Sequence, residues 1–335
     1  MDLANAFASG TVPSPIVLGT GSFGAGIPRE VAFAAMDAYL AAGGNVLDTA
    51  NIYSSWEPGG VGASERTVGE WLSARKVRDR IILGTKGGHP ALSAMQRSRC
   101  TLADLRSDFA ESLDRLQLEH EDIYWLHRDH PGLPVAAIMD NLAELNRSRR
   151  IGCFGVSNWM PARIEEANAY AQRAGEQGFV INQLGWSLAA HATNFADASP
   201  MLYVDDAMAE WHQRTGLTLL AYSSQAGGYF GESNVQWARH GFPGDAPRGK
   251  AFDNQTNRLR LQRATALAER KSCSANQVAL AWLLHQPFPT YPIIGSRSTA
   301  HIRESMGALQ VRLLPEECRW LTEPLDAAPA QPAGT

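Results

Sequence analysis

Eight times along the 335 residues a short apolar, β-rich run gives way to a longer amphipathic one, with no linker and no mid-chain shift in composition. Repeated β-then-α units predict parallel strands joined by right-handed crossovers. Eight of them in one uninterrupted chain predict an α/β fold closed as a single (β/α)8 barrel. The units repeat in architecture and not residue by residue.

The elements follow in order. The first strand is expected at Ile16–Leu18, ending in Gly19-Thr20-Gly21, with a helix at about Arg29–Ala42. Asn45–Asp48 precedes a helix from Ser64, whose Ser64-x-x-Thr67 lacks the Glu of a capping box. Ile81–Thr85 precedes a helix at Leu102–Leu116, and Asp122–Leu126 one at Val135–Arg149. Ile151–Val156 leads to Ala162–Arg173, and Phe179–Ile181 to Asp205–Thr215. Leu217–Ala221 precedes helical stretches at 256–271 and 275–286, and Tyr291–Ile294 precedes Ala300–Ala308. The barrel is expected to span residues 1–325, with an Ala/Pro-rich, disordered tail over 326–335. Two connections, about 186–203 and 225–255, are unusually long, which marks them as functional loops.

Composition excludes several classes. Hydrophobic residues make up 44% and charged residues 19%, as in a folded chain. The net charge of −4 leaves no basic surplus for a nucleic-acid partner. No apolar run is long enough to span a membrane, and the N-terminus lacks a signal-peptide pattern, so a cytoplasmic protein is expected. Cys100, Cys153, Cys273 and Cys318 are scattered, without a metal or disulfide pattern, and Cys153 reads as strand packing.

A barrel's chemistry sits where its strands end. Those ends carry Asp48, Lys86, His127, Ser157-Asn158, Asn182-Gln183, Ser223 and Gly295-Ser296-Arg297. Ionisable groups at three neighbouring ends need a role or a partner. Tyr53, five residues beyond Asp48, completes a proton-transfer set. A phenol near pKa 10 is too weak an acid at neutral pH, and a Lys ammonium beside it favours the tyrosinate. A carboxylate keeps that Lys charged, and a His can polarise a carbonyl oxygen. Such a set suits addition of hydride to a carbonyl carbon and of a proton to its oxygen.

Two other motifs stand in the sequence. Gly19-Thr-Gly21-Ser-Phe-Gly24 matches G-x-G-x-x-G, yet Ala25-Gly-Ile-Pro28 separates it from its helix, so a Rossmann site is not favoured and the glycines read as a loop approaching a cofactor closely. His127-Arg-Asp-His130 resembles a metal cluster, but adjacent strand-end residues rarely converge on one ion, and no metal is expected. Trp56, Trp186, Tyr229, Phe230 and Trp237 fall in loops at the expected mouth, where Trp56, Trp186 and Tyr229, with His89, are candidates for a substrate wall.

Asp48-Thr-Ala-Asn-Ile-Tyr53, Lys86 after Ile81-Ile-Leu-Gly-Thr, and His127 in Tyr124-Trp-Leu-His resemble the aldo-keto reductase tetrad. The resemblance runs on through Gly155-Val-Ser-Asn158, Asn182-Gln183, Ala221-Tyr-Ser223 and Ile294-Gly-Ser-Arg297, from about Ile16 to Leu309. It implies that Tyr53 is the general acid of carbonyl reduction, that Lys86 lowers its pKa, that Asp48 pairs with Lys86 and that His127 orients the carbonyl. It further implies that Ser157, Asn158 and Gln183 hold the nicotinamide carboxamide, that Tyr222 stacks on its ring, and that Gly21 and the backbone of Ser223, Gln225 and Gly227 approach the cofactor. Gly295, Ser296 and Arg297 would meet a 2′-phosphate, which implies NADPH/NADP+, with NADH as an alternative. Family members commonly carry Arg, Lys or Gln in place of His301 and Asn in place of Ser305. His301 gives a weaker phosphate contact, and Ser305 fewer contacts to adenine. The expected partner is a small carbonyl or alcohol. The long loop Tyr53–Ala63 and the 225–255 loop resemble those of bacterial sugar- and inositol-related members, which implies a sugar or polyol substrate. The resemblance also extends to potassium-channel β subunits, which leaves a cofactor-sensing or regulatory subunit as the alternative to an enzyme; oligomeric state is open.

Overall fold

The computed structural model describes residues 11–191, 201–240 and 250–324. The expected tail at 326–335 lies outside them. Strands β1 (Val17–Gly19), β2 (Val46–Asp48), β3 (Ile82–Gly87), β4 (Glu121–Leu126), β5 (Ile151–Ser157), β6 (Phe179–Gly185), β7 (Thr218–Tyr222) and β8 (Thr290–Ile294) close a barrel in sequence order. All pairings are parallel, and β8 returns to β1 through the register Val17 to Ile293.

The helices are α1 (Arg29–Ala41), α2 (Ala63–Arg75), α3 (Leu102–Leu116), α4 (Val135–Leu145), α5 (Pro161–Ala174), α6 (Asp206–Thr215), α7 (Glu232–His240), α8 (Gln255–Lys271), α9 (Ala275–Leu284), α10 (Thr299–Met306) and α11 (Pro315–Thr322). Expected and observed elements agree to within a few residues, except that α7 and α11 were not foreseen. α7 lies inside the long 225–255 connection, and α11 follows the eighth unit. β6 also extends four residues past Ile181, because Asn182 and Gln183 are polar yet buried, Asn182 facing His212 of the outer helical layer and Gln183 facing Asp48, and do not end the strand.

Alternate strand residues face inward. Val17, Val46, Ile82, Ile123, Trp125, Cys153, Ile181 and Leu220 fill the barrel, and larger clusters lie between sheet and helices. Trp125 is fully buried in that interior, and only a glycine at 155 leaves room for its indole. Cys153 is packed here as expected, and burial pushes its thiol up to about 12. α2 does not begin on a Ser64 cap. Gly62, at φ 65°, precedes it, and the Ser64 hydroxyl instead bonds the Thr20 carbonyl at 2.8 Å and the Thr20 and Thr49 hydroxyls at 2.9 Å. This buried clamp ties α2 to the C-terminal ends of β1 and β2, the rim that carries Asp48. Among the described residues no helix is long and apolar enough to cross a membrane.

Candidate active site

Asp48, Lys86 and His127 end β2, β3 and β4, and the short turn after β2 folds Tyr53 back over them. Lys86 Nζ donates to Asp48 Oδ2 at 2.6 Å, to the Thr49 carbonyl at 2.8 Å and to the Tyr53 hydroxyl at 3.0 Å. The Tyr53 hydroxyl lies 3.4 Å from Asp48 Oδ2, and its ring is 5.7 Å from that of His127. Lys86 is fully buried, so its ammonium persists only because Asp48 and two oxygens replace water around it.

The electrostatics depart from the sequence expectation in one respect. Burial, followed by the Asp48 charge, pushes Tyr53 well above the ordinary phenol value. The Lys86 charge is matched by Asp48 at 2.6 Å, and that carboxylate also faces the phenol. The cation that acts in the opposite direction, favouring tyrosinate, is Arg128. Burial lowers Lys86, and Asp48 opposes that shift. His127 is held well below the usual imidazole range by burial and then by Lys86, His89 and Arg128. It is therefore a neutral hydrogen-bonding group at pH 7. Its Nδ1 has no hydrogen-bond partner among the described residues.

The residues expected at the nicotinamide meet around this set. Gln183 Nε2 donates to Asp48 Oδ1 at 3.0 Å, the Ser157 hydroxyl to the Gln183 carbonyl at 3.0 Å, and Asn158 Nδ2 to Ser157 Oγ at 3.0 Å. The Tyr222 hydroxyl donates to Asn158 Oδ1 at 2.9 Å. A side chain on Gly21 would abut the Tyr53 ring at 3.9 Å. Among the described residues eight non-glycine positions have positive φ. Lys76, Gln117 and Ser272 are helix C-caps, whereas Ser54, Asn158, Ser223 and Ala226 all lie just beyond strand ends on the site face. Such backbone is retained where a site over-determines it.

The loops after β7 and β8 are joined by Gln225, which accepts from Gly295 N at 3.3 Å and donates to Asn276 at 3.3 Å and Ser305 at 3.1 Å. Gly227 has φ 62° within the turn Ala226–Gly228, so its backbone is turned away from helical geometry. Arg297 and His301 are exposed, and a Cβ on Gly295 would meet nothing within 4 Å. The Ser296 hydroxyl is engaged locally with Ser298. Open backbone at Gly295, the turn at Gly227 and an exposed guanidinium beside them fit an extended phosphate-bearing cofactor. Ser305 is buried and bonded to Gln225 and Asn276, so it braces these loops instead of facing outward.

Two expected wall residues are corrected. Trp186 stacks on Phe288 at 5.6 Å and meets Trp282 edge-on at 5.2 Å, in the layer outside the barrel. Tyr229 is 0% exposed, packed edge-on against the buried Phe230, with its hydroxyl 3.5 Å from Asp253. The Trp186 and Tyr229 side chains turn inward because each meets an apolar layer there. The Trp237 side chain lies outside the described residues. Trp56 and His89 do reach the mouth: Trp56 is 51% exposed and edge-on to Tyr53 at 6.2 Å, and the His89 ring is 4.7 Å from that of His127. Arg128 and Asn276 were missed as site residues. Arg128 was visible inside His127-Arg-Asp-His130, weighed only as a metal motif. Asn276 carried no signal, being the third residue of a helix-start sequence.

The aldo/keto reductase family pattern matches residues 15–324. Aldo-keto reductase ausK of Aspergillus calidoustus is 28% identical over 96% of this chain and 83% of its own length. Norsolorinic acid reductase of Aspergillus flavus is 28% identical over 95% of this chain and 80% of its own. A crystal structure of an aldo/keto reductase from Klebsiella pneumoniae, in complex with NADP and acetate, superposes with a TM-score of 0.68 at 22% identity, covering 92% of this chain and 90% of that one.

Proposed function

The chain belongs to the aldo/keto reductase family, and on that premise we propose that it reduces an aldehyde or ketone with NADPH, reversibly, using Tyr53 as the proton donor. The observation that carries this reading is the buried Asp48–Lys86–Tyr53 chain at 2.6 and 3.0 Å, with neutral His127 beside it. NADPH, when bound, supplies the hydride that the carbonyl carbon accepts. The Tyr53 hydroxyl gives its proton to the carbonyl oxygen, and Lys86 stabilises the phenolate left behind. His127 donates a hydrogen bond to the same oxygen from its neutral ring. Gln183, Ser157 and Asn158 would hold the carboxamide, Tyr222 the ring face, and Arg297 with the backbone at Gly295 the 2′-phosphate.

The exposed side chains near the mouth favour an apolar substrate body over the sugar or polyol that loop length implies. Trp56, Met95 and Met160 all expose apolar surface there, and such surface suits flat or branched hydrophobic groups as well as the faces of rings.

The test is NADPH oxidation by the wild type and Tyr53→Phe across aryl aldehydes, aliphatic aldehydes and keto-sugars. Loss of about 10²–10⁴-fold in the variant is expected. Turnover unchanged in Tyr53→Phe would remove the assigned role. NADPH retained with negligible turnover on all classes would point to the cofactor-sensing alternative.

A further inference from the structure

His89 lies on the loop that leaves β3, and its ring is 4.7 Å from that of His127, which in turn lies 5.7 Å from the ring of Tyr53. Two bonds fix it there. Gly88 takes φ 75°, a conformation that suits glycine, and its N–H donates to Asp108 Oδ2 at 2.8 Å. The His89 ring then closes on its own loop, with Nδ1 2.6 Å from the Pro90 carbonyl oxygen.

That contact settles the tautomer. A carbonyl oxygen only accepts, so Nδ1 carries the hydrogen. Burial holds His89 below the usual imidazole value; the Pro90 bond opposes that shift and the Arg128 charge adds to it. The ring is therefore neutral at pH 7, and its second nitrogen, Nε2, keeps its lone pair. His89 is half-buried, and Nε2 makes no hydrogen bond among the described residues. Tyr53 and His127 meet the reacting oxygen as donors, whereas His89 beside them is an acceptor. A carbonyl oxygen has nothing to give it. What suits it is a donor carried next to the carbonyl.

We propose that His89 is a specificity-determining residue that accepts a hydrogen bond from a hydroxyl on the carbon next to the carbonyl, so that the preferred substrates are α-hydroxy ketones or aldehydes with an apolar body. This rests on the reductase reading given above. An α-hydroxyl stands beside the carbonyl oxygen much as His89 stands beside His127. Because Gly88 and Pro90 hold the loop and the ring, little side-chain freedom is lost when the bond forms. Trp56, edge-on to Tyr53 at 6.2 Å and half-exposed, offers the apolar body a face at the same mouth.

The experiment compares 2-hydroxyacetophenone with 2-methoxyacetophenone, which has the same oxygen and no hydrogen to donate, in wild type, His89→Phe and His89→Gln. The preference for the hydroxy ketone in kcat/KM is expected to be about three- to tenfold larger in wild type than in His89→Phe, as for one neutral hydrogen bond. Comparing the ratio between proteins cancels the difference in intrinsic reactivity of the two ketones. His89→Gln, whose side-chain oxygen accepts, should keep part of the preference. The same ratio in wild type and His89→Phe, with both proteins still consuming NADPH, would overturn the proposal and leave the reductase reading in place. Calorimetric titration of the full chain with each ketone in the presence of NADP+ reads the preference without turnover, and it decides the matter if only other carbonyls are reduced. If no carbonyl is reduced yet the hydroxy ketone binds more tightly in a His89-dependent way, the reductase reading fails and the acceptor site stands. If the binding preference is the same in wild type and His89→Phe, the acceptor site fails.

Discussion

Gln183 and Asp48, 135 positions apart, share a 3.0 Å hydrogen bond, which leaves Asp48 with one oxygen for the cofactor side of the site and the other, at 2.6 Å, for Lys86. A single carboxylate thus connects the β6 end, where the nicotinamide carboxamide is expected, to the phenol proposed as the proton donor. Its burial makes it costly to disturb and ties stability to chemistry.

Lys86→Met strands the Asp48 charge inside the barrel rim. A loss of about 3–5 kcal/mol in urea unfolding is expected, because an unpaired buried ion is left. The double variant Lys86→Met/Asp48→Asn should recover most of that stability, since Gln183 can still bond the amide, yet reduce no carbonyl. Additive destabilisation in the double variant would show that the pair is not coupled.

Arg297→Ala should weaken NADPH by about tenfold or more and change NADH little, because the guanidinium is proposed to meet only the extra phosphate. Titration of each cofactor by fluorescence quenching decides it. Equal losses for both would remove the 2′-phosphate assignment.

The pH profile should separate the two directions. Tyr53 lies well above its ordinary value through burial and Asp48, so the protonated donor persists through neutral and moderately alkaline pH, and reduction should fall only above the usual phenol value of about 10. Oxidation needs the phenolate and should rise over the same range. His127, held well below the usual imidazole range, should put no inflection near about 6.5 into kcat/KM for reduction. An inflection there that disappears in His127→Asn would contradict its neutral role.

Glu121, at the opposite end of the barrel, is 1% exposed, and neither carboxylate oxygen has a hydrogen-bond partner among the described residues. Burial raises it well above the ordinary value, with Arg78 opposing and Asp122 and Glu65 reinforcing. The unfolded chain ionises this group from about pH 4.3 upward while the folded one resists, so its burden on stability is absent in acid and grows as pH rises. Glu121→Leu should therefore stabilise the protein by about 1–3 kcal/mol at pH 8, and by progressively less toward pH 5. Denaturant melts at the two pH values check the sign; a gain larger at pH 5 would refute it.

Much of the site was legible because a barrel strand's last inward residue is forced toward the mouth. Asp48, Lys86 and His127 each follow an apolar run directly, so local periodicity alone converges them. Trp186 and Tyr229 were misplaced for the opposite reason. Each lies in a long connection whose path depends on which apolar surface it meets, and Phe288, Trp282 and Phe230 supply that surface from elsewhere in the chain. Ser305 was read from the sequence as an adenine contact weaker than Asn; that its hydroxyl lies within 3.1 Å of Gln225, 80 positions away, could not be read locally.

The sequence by itself determined the eight-unit barrel and put Asp48, Lys86 and His127 at neighbouring strand ends, since both follow from hydrophobic period and from residues adjacent to it. Only the tertiary structure decided which charge matches which. The sequence-based expectation that Lys86 would lower Tyr53 is reversed in net direction because Asp48 lies within 3.4 Å of the phenol and burial outweighs the pair. The balance of a buried charge depends on distances and solvent exclusion, and neither is a property of any stretch of sequence.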